Sequence, residues 1–211
     1  MKIYKRKFKF IKRNTLLDTL FNSFIFILLV NWFFQGIRGM QLKELSFRII
    51  TEILLISIFF YLTSLSLLLC IIIIHTFFWV FLCQFWLINR YSLNYTNDLN
   101  KMNYTYKKVV NKILKFKDIK EAIVIGSTSS EKKIIKINSD LDLRIFFDNN
   151  FKNYLSTNFF LYYLRIYSFI KKFPLDIYCY DDLRVFNTFS KKDKILIIKD
   201  TNKAINKYLK K

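Results

Sequence analysis

The chain has 211 residues, is 53% hydrophobic and 19% aromatic, and still carries a formal charge of +20. Residues 1–13 hold seven Lys/Arg and no acid, residues 101–211 hold 24 Lys/Arg against 11 Asp/Glu, and residues 14–100 balance to zero. Charge and apolar material thus occupy different stretches, which excludes intrinsic disorder, a secreted disulfide scaffold and an enzyme built round one core.

With three glycines and one proline, no Rossmann fingerprint or Walker loop can be assembled. The single histidine, His75, sits in an apolar run, which argues against Ser-His-Asp chemistry and His-ligated metals. Cys70, Cys83 and Cys179 show no CxxC spacing and read as buried, reduced thiols.

In chain order, residues 16–35 are predicted as a first membrane helix, apolar apart from Asp18 near its start. Its bulky Trp32-Phe33-Phe34 end offers no cleavage site for a signal peptide. Residues 53–88 contain no Asp, Glu, Lys or Arg. A straight helix over them would be about 54 Å long, against about 30 Å of hydrocarbon. A long tilted helix, a span with an interfacial tail and a hairpin all fit. No Gly or Pro marks a turn, so the expectation is one span near 53–75, extending toward 88 as it leaves through the headgroups. Seven bases before the first span and a less basic tip between the two put the N-terminus in the cytoplasm. Two spans then return residues 101–211 to that side. Both basic ends would lie against anionic lipid.

From residue 101 the pattern is α+β. A helix is predicted over 104–116, a short strand over 122–125 and a strand over 141–147. Asp148-Asn149-Asn150 forms a turn and cap for a helix over 151–171. Strands follow over 175–180, entered by Pro174, and over 195–198, with a terminal helix over 200–210. A small mixed sheet with flanking helices follows from this order.

Two features of this region carry chemistry. Gly126-Ser127 ends a strand, where glycine permits a sharp turn and close approach of phosphate, and Ser127 adds a hydroxyl. Asp140-Leu141-Asp142-Leu143 puts two carboxylates on one strand face and two leucines on the other. Two such carboxylates repel unless a cation lies between them, and hard oxygens suit magnesium that also holds phosphates. Asp176, among apolar residues on a later strand, is a third acid in need of compensation.

The string Ile125-Gly126-Ser127, a twelve-residue gap, then Asp140-Leu141-Asp142-Leu143 resembles the signature of the DNA polymerase β-like nucleotidyltransferase superfamily. Asp176 matches the third acid of that pattern. The resemblance covers about residues 105–200 and is nearest to the minimal, stand-alone members. It implies that Gly126 and Ser127 hold the triphosphate and that Asp140, Asp142 and Asp176 bind two magnesium ions. Asp176 would also deprotonate the acceptor hydroxyl as a nucleoside monophosphate is transferred from an NTP. Many minimal members have arginine after the serine, but here Thr128, Ser129 and Ser130 follow. Lys132, Lys133 or Lys136 would meet phosphate or form a solvated basic loop. Arg144 shares the aspartate face and would either bind phosphate or neutralise the acids. A membrane anchor on such a domain suggests a membrane-associated acceptor at the cell membrane, with both termini cytoplasmic. A nucleotide-messenger synthase and an inactive membrane adaptor are the alternatives. The lysine-rich charge does not by itself point to a nucleic-acid partner.

Overall fold

The structure is a computed structural model that describes residues 16–21, 23–35, 37–83, 85–86, 98–126, 140–189 and 194–209. The helices are α1 (Leu16–Phe21), α2 (Phe24–Phe34), α3 (Leu42–Leu62), α4 (Leu67–Leu82), α5 (Leu99–Lys115), α6 (Phe151–Ile170) and α7 (Ala204–Leu209). The strands are β1 (Ile119–Ile125), β2 (Leu141–Phe147), β3 (Leu175–Tyr180) and β4 (Ile195–Asp200), and they form one mixed sheet in the order β3-β2-β1-β4. β1 is antiparallel to both neighbours, and β2 is parallel to β3 through the α6 crossover. The α+β fold class is as expected, down to the sequence of its elements from residue 99.

Strand alternation divides the core. Leu141, Leu143, Ile145, Ile177 and Cys179 pack against Val109 and Ile113 of α5 and Leu161 and Leu164 of α6. On the other face, Ile123, Phe146, Tyr178 and Tyr180 pack with Phe186 of a 3-10 turn, Ile205 of α7 and Met40. α5 turns its lysines outward, and Asn150 caps α6 by accepting from the Asn153 amide.

The two-span expectation is corrected here. Among the described residues one helix, Leu42–Leu62, is long and apolar enough to cross a membrane. Residues 16–35 do not make one span. Ser23 accepts from the Phe26 amide and starts a new helix, so α2 has 11 residues. The second segment is likewise recut. Its helix begins at Leu42, stops at an extended Thr63, and restarts where Ser66 accepts from the Leu69 amide. Serine and threonine caps make the break that was looked for in Gly or Pro.

α3 starts on the sheet, not away from it. β3 is an edge strand, whose outer amides and carbonyls need partners. The Cys179 amide donates to Glu44 Oε2 at 3.0 Å, the Asp181 amide donates to Gln41 Oε1 at 3.0 Å, and the Ile177 carbonyl accepts from Arg165 at 2.7 Å. Arg165 and Glu44 form an ion pair at 2.6 Å with side chains 1% exposed, and Lys43 pairs with Asp181. Burial and the Glu44 carboxylate push the Cys179 thiol well up, which keeps it protonated. One turn of α3 therefore closes the sheet edge.

Removing one partner of such a pair strands a buried charge. Glu44→Leu should cost about 3–5 kcal/mol, whereas Glu44→Leu with Arg165→Met should recover most of it. Chemical unfolding of the full chain in detergent, followed by tryptophan fluorescence, measures both. A wild-type midpoint for the single variant would show the pair to be dispensable.

Candidate active site

Strand direction brings the predicted acids together. In the parallel β2–β3 register Asp142 lies opposite Asp176, Arg144 opposite Tyr178 and Phe146 opposite Tyr180. β1 runs the other way, so its last residue, Ile125, meets Asp142. Gly126 follows directly, and Asp140 immediately precedes β2. Gly126, Asp140, Asp142 and Asp176 thus share one end of the sheet. Ser127, Lys132, Lys133 and Lys136 lie outside the described residues.

The acids strain against one another. Burial, then the charges of Asp140 and Asp176, push the Asp142 carboxyl up to about 8, with Arg144 opposing. Asp176 Oδ2 accepts from Arg144 at 3.2 Å. Its Oδ1 is buried without a hydrogen-bond partner among the described residues, a position that ordinarily costs about 1–3 kcal/mol. No three His, Cys, Asp or Glu side chains among the described residues are grouped closely enough to hold a metal as they stand. Asp176 is instead drawn to the guanidinium. The donor set still fits a hard dication: the oxygens are of the right type, one is orphaned, and a neighbour carries a proton that a cation would displace.

Gly126 contributes shape. Its φ of 88° is a left-handed conformation, and a Cβ there would stand 3.2 Å from Asp142 Oδ2. Its amide donates to the Lys194 carbonyl at 3.1 Å, so that N–H is already used by the sheet rather than held out for phosphate. Lys194 itself is exposed at this same end. Sequence reasoning did not single it out, because only the β1–β4 pairing carries it there. Arg144 is held in place: it donates to the Leu143 and Asp176 carbonyls at 2.8 and 3.2 Å and lies 4.9 Å from the Tyr178 ring centroid.

Tyr178 and Gly39 were also missed. The 3-10 turn Ile37–Gly39 between α2 and α3 presses on the Tyr178 ring, and a Cβ at Gly39 would overlap that ring. Tyr180 donates its hydroxyl proton to the Gly39 carbonyl at 3.2 Å. Nothing local in the sequence announces a contact across about 140 residues.

Comparison of the chain with family models, with curated proteins and with solved structures finds no match.

Folded Asp142 keeps its proton to about 8, while an unfolded aspartate loses it near 4, so the folded chain binds the extra proton between these values. Stability in EDTA should therefore decline as the pH rises from about 5 to 8. Asp142→Asn should flatten that decline. Denaturation midpoints across the range test this, and an equal slope in both proteins would contradict it.

Proposed function

We propose that this chain is a membrane-associated nucleotidyltransferase that moves a nucleoside monophosphate from an NTP to a hydroxyl or phosphate acceptor. The observation that carries the reading is the gathering of Asp140, Asp142 and Asp176 beside the Gly126 corner, with one carboxylate oxygen buried and unsatisfied. An arrangement that strained is expected where acids are kept for function rather than for folding.

In this reading Asp140, Asp142 and Asp176 hold two magnesium ions. Magnesium, when bound, supplies positive charge to the transferring phosphoryl group and to the attacking and leaving oxygens. The acceptor oxygen forms a bond to the α-phosphorus, the bond to the bridging oxygen breaks, and pyrophosphate leaves. Asp176 takes the acceptor proton. Arg144 keeps Asp176 oriented through its own fixed hydrogen bonds, and exposed Lys194 attracts the triphosphate. Ser127 and Lys132, in the stretch of sequence between β1 and β2, would add phosphate contacts.

The acceptor is proposed to be membrane-bound, because the apolar helices hold the sheet close to the lipid. A lipid-linked sugar or polyol phosphate, a polysaccharide intermediate and a membrane-protein side chain share the required oxygen. We place the α/β body in the cytoplasm, where NTPs are, on the side to which the basic residues 1–13 would be drawn.

Full-length protein in native membranes, given magnesium and each labelled NTP in turn, should label a membrane component. Asp142→Asn and Asp176→Asn should lose about 100-fold or more of that rate and their magnesium-dependent thermal shift with NTP. Soluble oligonucleotide products from NTP alone would favour messenger synthesis. Magnesium and NTP without any thermal shift in the wild type would leave a non-catalytic adaptor.

A further inference from the structure

α3 has polar residues on the wrong face for a helix in water. Glu44, Arg48 and Glu52 point inward at intervals of four. Glu44 meets Arg165, Arg48 meets Gln35 and Cys83, and Glu52 meets His75 at 2.6 Å. Ile49, Ile50, Ile53, Leu54 and Ile58 point outward and are exposed, and only 11% of the most apolar window is buried. Apolar residues outside with paired polar groups inside is the pattern of a helix in lipid.

The apolar length, however, is short. Residues 42–48 are committed to packing within the protein: Lys43 is tied to Asp181, Glu44 pairs with Arg165, Phe47 lies against Tyr154 and Tyr162 of α6, and Arg48 is buried against Gln35 and Cys83. From Ile49 to Leu62 the helix extends about 21 Å. α4 returns from Leu67, and by Phe78 it is packed on Tyr162 of α6, with Phe81 on Phe169, leaving about 16 Å free. α2 is also about 16 Å long and joins the group through Trp32 to Thr76 and Trp79 to Asn31. All three fall well short of the roughly 30 Å needed to cross the hydrocarbon.

The tip agrees. Residues 63–66 include no Asp, Glu, Lys or Arg, and neither does the rest of 53–88, so no basic or acidic side chain holds the turn in a far headgroup layer. Two of its hydroxyls serve the helix ends: Thr63 Oγ1 donates to the Phe59 carbonyl at 2.8 Å, and Ser66 Oγ accepts from the Leu69 amide at 3.5 Å. Tyr61 and Leu62 beside the turn are largely exposed.

We propose that α2, α3 and α4 form a wedge that enters one leaflet of the bilayer and turns back at 63–66 inside the hydrocarbon. Its occupant is lipid acyl chains, and the α/β body lies flat against the headgroups of the leaflet it enters. This rests on the membrane-associated reading above but replaces the crossing hairpin by a re-entrant one.

Ser64→Cys and Leu65→Cys, each in the full chain, place a thiol at the tip, and Asn202→Cys marks the side of the α/β body. The native cysteines are buried and set the background. Vesicles of phosphatidylcholine with an anionic lipid are treated with a membrane-impermeant maleimide on either side. The tip thiols should label at least about tenfold more slowly than Asn202→Cys from both sides, because a thiol without water stays protonated and unreached. They should reach parity in SDS. Labelling from the side opposite Asn202→Cys would show a crossing hairpin and overturn the wedge alone. Labelling from the same side would show no insertion and remove the membrane reading with it.

Discussion

The buried pair Glu44–Arg165 is the interaction on which the arrangement turns. An arginine inside an apolar helix has to be neutralised, and the acid that does so comes from 121 residues earlier in the chain. The same carboxylate takes the Cys179 amide, so it also completes the outer edge of β3. Without it an open strand edge and an unpaired cation would face each other across α6. The apolar helices and the sheet are for this reason one packed unit at their junction. A fragment beginning at residue 101 would lack Gln41 and Glu44, both of which finish the sheet.

Position in the sheet then decides the chemistry. Parallel pairing of β2 with β3 sets Asp142 against Asp176, and antiparallel β1 delivers Gly126 to the same end. Carboxylates forced together out of water raise one another's proton affinity, which is why Asp142 holds its proton into the neutral range. Arg144 offsets this from the adjacent position on the same face. Its orientation is fixed by two carbonyls and an aromatic ring, so it is a standing charge rather than a mobile arm.

Much of the α/β region was legible because its signals are local. Leu141–Ile145 alternates apolar with charged residues and opens the predicted strand, and Asn150 caps the helix that follows it. The side-by-side acids were legible for the same reason: period two puts Asp140 and Asp142 on one face, and apolar neighbours mark Asp176 as strand-borne. The apolar region before residue 90 was misread because hydropathy has no punctuation of its own. Residues 53–88 contain no Asp, Glu, Lys or Arg to mark a boundary, while the helices are cut by Ser23, Thr63 and Ser66, whose hydroxyls satisfy backbone groups at helix ends. The role of Glu44 was not legible, since its partner Arg165 is 121 residues away in sequence. The seat of Gly39 on Tyr178 and the arrival of Lys194 beside Gly126 depend wholly on tertiary packing.

The turn Ile37–Gly39 touches Tyr178, Tyr178 lies under Arg144, and Arg144 grips Asp176. A relay of three contacts therefore links the turn between α2 and α3 to the Asp176 carboxylate. Glycine at 39 leaves that relay no slack, since even a methyl group would move the ring. Anything that shifted α2 against α3 would be felt at Asp176 as a changed grip from its guanidinium, so the setting of that carboxylate depends on a contact made about 140 residues earlier in the chain.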